Sequence, residues 1–236
     1  MSFWDISSPF YDVVERSNTN YERWINRIVD YVDKDSRVLE VAAGTGEISL
    51  RVSAKAKKVV CSDISSNMIR AAKRKTKDIS NISFKRADIN RLDFKDNSFD
   101  VVIASQILHL LDNPKQAIDE LVRVSNNKII LPMSLTRDIK GFTKLQLGIW
   151  KKLGYDPKRE FDEESYLNFL LSNDLNVIES TVIDGNIPMM IVVCEKRRES
   201  SVIRMLKNKT TKVLDKLLSK KNLNPITNLF NRAGKK

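Results

Sequence analysis

The densest chemistry in this chain of 236 residues lies in Val38-Leu-Glu-Val-Ala-Ala-Gly-Thr-Gly46 and in the acid that follows it. Gly44 and Gly46 allow a turn whose backbone approaches a ligand closely. Seventeen residues past Gly46, Asp63 ends the apolar run Lys58-Val-Val-Cys-Ser, where a carboxylate can accept both hydroxyls of a ribose. A pyrophosphate would require a third glycine where Ser49 stands. Glu47 also puts negative charge at the helix start that an anion would need. The pattern fits a nucleoside without phosphate. S-adenosylmethionine (SAM) is such a ligand, and its sulfonium tolerates acids such as Glu40.

These residues need strands and helices to hold them. The apolar runs predict strands at Arg37–Val41, Lys58–Ser62, Ile82–Lys85, Phe99–Ala104 and Lys128–Leu131, the last ended by Pro132. Helices are expected at Glu47–Ala54, at Ser65–Thr76 with Ser65 as N-cap, and at Pro114–Val124. This alternation implies right-handed crossovers and a mainly parallel sheet. Asn176–Ile183 and Met189–Glu195 are also strand-like. Only Asp184-Gly-Asn-Ile-Pro188 joins them, too little for a parallel crossover, so that pair is expected to be antiparallel. Before strand 1, Phe3 to Val32 reads as helix broken near Ser8-Pro9 and Ser17–Asn20. Gly141–Leu153 and Glu163–Leu171 read as two inserted helices.

Four blocks then carry a resemblance. Glu40-x-Ala-x-Gly-x-Gly46 resembles motif I of class I SAM-dependent methyltransferases, with Ala42 in the place of its first glycine. Asp63-Ile-Ser-Ser-Asn-Met68 resembles the acidic ribose motif and its helix. Phe84-Lys-Arg-Ala-Asp88-Ile89 resembles the adenine-edge motif, and Asn97-Ser-Phe-Asp100-Val-Val the start of strand 4. The four occur in order over residues 38–105, and they are most similar to the type 11 and ubiquinone/menaquinone C-methyltransferase-like group. The resemblance implies a Rossmann-like, seven-stranded, mostly parallel sheet with an antiparallel last strand and helices on both faces. It implies SAM as cofactor and S-adenosylhomocysteine as product. It fixes the cofactor more narrowly than the acceptor.

The roles implied for individual residues follow. Gly44 and Gly46 approach the methionine part of SAM, and Asp63 holds the ribose. Asp88 takes the adenine amino group and Ile89 gives a backbone contact. Ile64 and Met68 either pack on the adenine face or belong to the core. Glu40 positions the SAM amino group or serves the turn structurally. Tyr11, in Ser8-Pro-Phe-Tyr-Asp12, resembles a tyrosine that lids SAM, against a plain buried helix aromatic. Ser105 and Gln106 follow strand 4, within reach of the donor.

Methyl transfer from a sulfonium is an in-line displacement, so holding donor and acceptor aligned does most of the work; orientation alone can supply about 7–11 kcal/mol. His109, the one histidine, has an ordinary pKa that suits removing an acceptor proton near neutrality, with Asp112 as a weaker substitute. One histidine and no Cys-x-x-Cys leave little for a metal site, and none is expected. After strand 4 the chain reads Ala104-Ser-Gln-Ile, not the Asn/Asp-Pro-Pro-aromatic block of enzymes that methylate exocyclic amines. Cys61 and Cys194 fall within predicted strands, which disfavours cytosine C5 chemistry.

Charge divides the chain. Of its 41 Lys and Arg, 13 lie from Lys196 onward against only Glu199 and Asp215, so residues 1–195 hold 28 basic and 28 acidic side chains. The net charge of +11 therefore sits in the tail. Ile203, Leu206, Val213, Leu214, Leu217 and Leu218 recur there at helical spacing among lysines, a basic amphipathic helix. It reads as a solvated basic end, as a helix for an anionic membrane surface, or, with Phe230 as its sole aromatic, less well as a nucleic-acid contact. No signal peptide or membrane span is visible, and two strand cysteines imply a reducing, cytoplasmic setting, peripheral to a membrane where the tail anchors it.

The expected organisation is a methyltransferase domain at 1–198 and a basic tail at 199–236. The domain divides into a helical cap (1–34), a SAM-binding core (35–135), a helical insert (136–175) and a terminal hairpin (176–198). The expected function is methyl transfer from SAM to a small-molecule or lipid- or quinone-like acceptor. An RNA methyltransferase recruited through the tail and a non-catalytic SAM-binding module are the alternatives.

Overall fold

The computed structural model describes residues 3–9, 11–136, 139, 148, 150–152, 154–173 and 175–196. The basic helix expected at 199–221 and most of the first insert helix, Gly141–Leu153, lie outside them. The elements are α1 (Phe3–Ser7), α2 (Tyr11–Arg16), α3 (Tyr21–Asp30), β1 (Arg37–Val41), α4 (Glu47–Ser53), β2 (Lys58–Asp63), α5 (Ser66–Lys75) and β3 (Ile82–Arg86). They continue with β4 (Phe99–Ala104), α6 (Pro114–Val124), β5 (Ser125–Ser134), α7 (Glu163–Ser172), β6 (Asn176–Ile183) and β7 (Met189–Glu195).

Seven strands form one sheet in the order β3-β2-β1-β4-β5-β7-β6. β1 pairs in parallel with β2 and β4, while β7 runs antiparallel between β5 and β6. The buried runs of the central strands explain this placement. β7 is buried from Met189 through Cys194, as a strand covered on both faces must be, whereas β6 alternates and takes the edge. One apolar cluster joins Leu39, Val102, Ile118, Leu121 and Tyr166 on one face of the sheet. A second, with Trp24, Ile28, Val52 and Ala72, fills the other. Ser65 caps α5, its Oγ accepting from Met68 N at 3.2 Å.

β5 is longer than its sequence implies and does not stop at Pro132. Pro132 O accepts from Gln106 N at 2.9 Å, so this edge of Pro132 faces the β4 side. In a strand, N–H and C=O of one residue point the same way, and β4 has already ended at Ala104. The missing proline N–H would have pointed at Ala104, so the parallel ladder with β4 ends there, while β7 on the other edge continues pairing to Ser134↔Met189.

Ala42, just past β1, has φ +53° and Gln106, just past β4, has φ +52°. Left-handed backbone in residues with a Cβ stores strain of order 1–3 kcal/mol. Ala42→Gly is expected to raise stability by about 1 kcal/mol in urea unfolding, because glycine takes this φ freely. A loss instead would mean that the Ala42 methyl contributes more through packing than its backbone costs.

Candidate functional site

The chain leaves β1 towards β2 and β3 on one side, and returns to β4 and β5 on the other. The crevice at the carboxyl ends of β1 and β4 is therefore the topological switch point, where open α/β sheets bind ligands. The glycine turn rises from β1 into it. Gly46, at φ +76°, admits no side chain: a Cβ there would lie 2.9 Å from the Ala72 Cβ and 3.4 Å from Cys61 Sγ. This close approach packs α4 against β2 and α5.

Asp63 is buried at the end of β2 with both oxygens already aimed. Oδ2 accepts from Gly44 N and Oδ1 from Ser65 N, each at 2.8 Å. Burial raises its pKa, opposed by those backbone donors. Each oxygen keeps a second lone pair for a ligand hydroxyl. Asp63, Ile64, Met68, Ala42, Gly44 and Ser105 line a narrow cavity of about 60 Å³. Ile64 is 54% exposed, an apolar face left open beside Asp63, while Met68 lies buried beneath. Asp88 and Ile89 do not line this cavity. The exposed Asp88 carboxylate accepts from Asn90 N at 2.9 Å, and Ile89 packs into the core.

A second cavity of about 50 Å³ shares Ala42, Gly44, Ser105 and Tyr11 and reaches Glu40. Glu40 is 2% exposed and accepts from Ser49 Oγ at 2.5 Å. Burial pushes its pKa up to about 8. The Tyr11 ring comes 3.7 Å from the place a Cβ on Gly44 would take, so α2 lies over the turn. Ion pairs hold α2 there. Lys75 Nζ meets Asp12 at 2.6 Å and Glu47 at 3.2 Å, and Arg16 meets Glu47 at 3.0 Å. Burial alone would raise the Glu47 pKa, but Lys75 and Arg16 pull it below the usual value. Glu47 is thus committed to holding α2. Glu40, Asp63 and Glu15 remain facing the crevice, a setting that favours a cationic ligand.

Beyond Tyr11 and Gln106 opens a larger cavity of about 270 Å³, walled by Trp4, Tyr11, Trp150, Tyr155 and His109. His109 is buried on the 3-10 turn Leu108–Leu110, its Nε2 2.8 Å from the Tyr155 hydroxyl. Its Nδ1 has no hydrogen-bond partner among the described residues. Burial, with Arg159 nearby, lowers its pKa to about 4. The imidazole is therefore neutral at pH 7, and its low proton affinity makes it a weak base.

Sequence reading missed Glu15, which faces this cavity. Its one signal was spacing: Tyr11 and Glu15 stand four apart, on the same face of α2. Among the described residues no group of three or more His, Cys, Asp or Glu is placed to hold a metal ion. No described helix is long and apolar enough to cross a membrane.

Residues 39–128 match the family model "Methyltransferase domain" (Methyltransf_11). The demethylmenaquinone methyltransferase of Renibacterium salmoninarum is 38% identical over 128 residues, covering 52% of this chain and 53% of that protein. The ubiquinone/menaquinone biosynthesis C-methyltransferase UbiE of Rickettsia prowazekii is 32% identical over 133 residues, covering 52% and 51%. The chain thus spans about half the length of the curated relatives it matches. Among solved structures, magnesium protoporphyrin IX methyltransferase from Synechocystis with bound S-adenosylhomocysteine superposes with a TM-score of 0.57. It is 17% identical, and the match covers 75% of this chain and 84% of that one. That likeness speaks for the fold, while the sequence matches show that residues 39–128 and their flanks are similar to S-adenosylmethionine-dependent methyltransferases, ubiquinone/menaquinone C-methyltransferases among them.

Proposed function

We propose that the protein transfers the methyl group of SAM to a small, largely apolar acceptor of the quinol type. The observation that carries this reading is the aromatic-walled cavity of about 270 Å³, which meets the glycine-turn crevice at Tyr11 and Gln106. In it, SAM lies along Asp63, Gly44 and Glu40, with its methyl directed past Tyr11 and Gln106. Trp4, Trp150 and Tyr155 give flat apolar walls against which an aromatic ring packs. Two relatives named for quinone-type substrates support the acceptor class. Work at a lipid-borne acceptor also suits the basic amphipathic pattern of residues 199–221, where each Lys or Arg contributes about 1 kcal/mol at an anionic surface.

The test is incubation of the protein with methyl-labelled SAM and a dihydroxynaphthalene quinol lacking the methyl group, followed by solvent partition. Label is expected in the organic phase, on the quinol. Label that stays in the aqueous phase and becomes acid-soluble only on nuclease treatment would replace this reading with RNA methylation through the tail. Binding of SAM without transfer to quinol or to cell extract would leave a cofactor-binding module.

A further inference from the structure

We infer that Glu15 is the general base of the reaction, taking the acceptor's proton as the methyl group is transferred. This inference rests on the methyl transfer proposed above. Its ground is position. Tyr11, Glu15 and Gln106 line both the acceptor cavity and the narrow cavity over Glu40, and of the three only Glu15 carries a carboxylate. A base must reach the proton it removes, and the junction of the two cavities is where acceptor and methyl carbon meet.

The surroundings hold the carboxylate in place. Tyr11, one turn earlier on α2, hydrogen-bonds it. Gln106 Nε2 lies 3.4 Å from its Oε2, and Gln106 Oε1 in turn accepts from Ser134 Oγ at 2.5 Å. In this orientation the amide donates towards the carboxylate and accepts from the serine, so both of its ends are used. The strained φ of Gln106, +52°, turns its side chain into the junction.

The titratable groups around Glu15 come from each neighbouring element. Asp12 and Tyr11 share its helix, Tyr155 and His109 stand across the acceptor cavity, and Glu40 and Asp63 lie across the glycine turn. Lys75, on this side of the crevice, is engaged by Asp12 and Glu47. Burial, then the charge of Asp12, raises the Glu15 pKa to about 7, against the bond from Tyr11. Within the acceptor cavity the alternatives titrate far from neutrality. His109 is lowered to about 4, and burial holds Tyr11 and Tyr155 well above the usual phenol value.

The step balances. The acceptor's nucleophilic atom bonds to the methyl carbon, the methyl–sulfur bond breaks with its pair going to sulfur, and the acceptor proton goes to a Glu15 oxygen. Sulfonium and carboxylate charges are both discharged, leaving S-adenosylhomocysteine, methylated acceptor and a neutral Glu15 that returns its proton to water.

The test is the Glu15→Gln variant, assayed with the quinol used above and followed by calorimetric SAM binding and a kcat–pH profile. Glutamine keeps the shape and the acceptor oxygen for Tyr11 but cannot take a proton. Expected are a fall in kcat of about 10²–10⁴-fold, SAM affinity within about threefold, and loss of the acidic limb of the profile. In the wild type that limb lies at or below pH 7, since the bound sulfonium favours the carboxylate. Glu15→Asp keeps a base and is expected to retain the limb with a reduced rate, which also decides the matter if the glutamine variant misfolds. Unchanged kcat and an unchanged limb in Glu15→Gln, or an aspartate variant without a limb, would overturn the role of Glu15 and leave methyl transfer standing. A wild-type protein that methylates no hydroxylated aromatic would overturn both.

Discussion

Replacing Asp63 with alanine is expected to weaken SAM binding by about 1.5–3 kcal/mol, roughly a ten- to hundredfold rise in Kd by calorimetry. The magnitude is that of hydrogen bonds to a charged acceptor, here two ribose hydroxyls meeting one carboxylate. The structure adds a cost that a surface acid would not have. Gly44 N and Ser65 N both donate to Asp63 at 2.8 Å, so alanine also leaves two donors without their acceptor at the foot of the crevice. The glycine turn and the start of α5 would loosen together, and a lowered Tm should accompany the weaker binding.

Asp63→Asn separates the two effects. It keeps one acceptor oxygen and the side-chain volume, but sets an NH₂ against one of those backbone donors. Intermediate Tm with SAM binding as poor as in the alanine variant would assign the loss to the ribose contact. SAM affinity unchanged in both variants would remove Asp63 from the site.

How much of this was legible in advance depends on how local the cause is. β1, β4, β6 and β7 begin and end where the apolar runs do, because strands buried at the sheet centre, or paired across a short loop, leave that run in the sequence. β5 was misjudged at Pro132 because β7 carries the strand onward along its other edge, a fact of the neighbouring strand. The glycine turn and Asp63 were readable since close backbone approach needs particular residue types. Glu15 was not. An acid on a short helix has the same local signature whether it faces solvent or a cavity, and the cavity is built by residues from α1, α2, the turn after β4 and the segment around Tyr155. His109 lines the aromatic-walled cavity, but its burial and the proximity of Arg159, which set its proton affinity, come from chain packing that spacing does not encode.

The second large effect is a dependence of SAM binding on pH, set by Glu40. Without ligand its folded-state pKa is about 8, against an ordinary 4.5, because burial penalises the charged form. Cofactor-free Glu40 is therefore mostly protonated at pH 7. Binding the ammonium and sulfonium of SAM favours the carboxylate, so the complex releases that proton. SAM affinity should rise with pH, by up to tenfold per unit, and level off above about pH 8. The sign for stability is opposite. Folded Glu40 holds a proton that the unfolded chain has lost, so this group's contribution is complete below about pH 4.5 and is lost as pH rises through about 8. Glu40→Gln should flatten both curves, with SAM affinity nearly constant from pH 6 to 8 apart from the smaller share carried by Glu15. Calorimetry in two buffers of different ionisation enthalpy counts the protons directly, and the variant should release about one fewer than the wild type at pH 7. Equal proton release in the two proteins would place the cationic part of SAM away from Glu40, and leave that acid a structural partner of Ser49 alone.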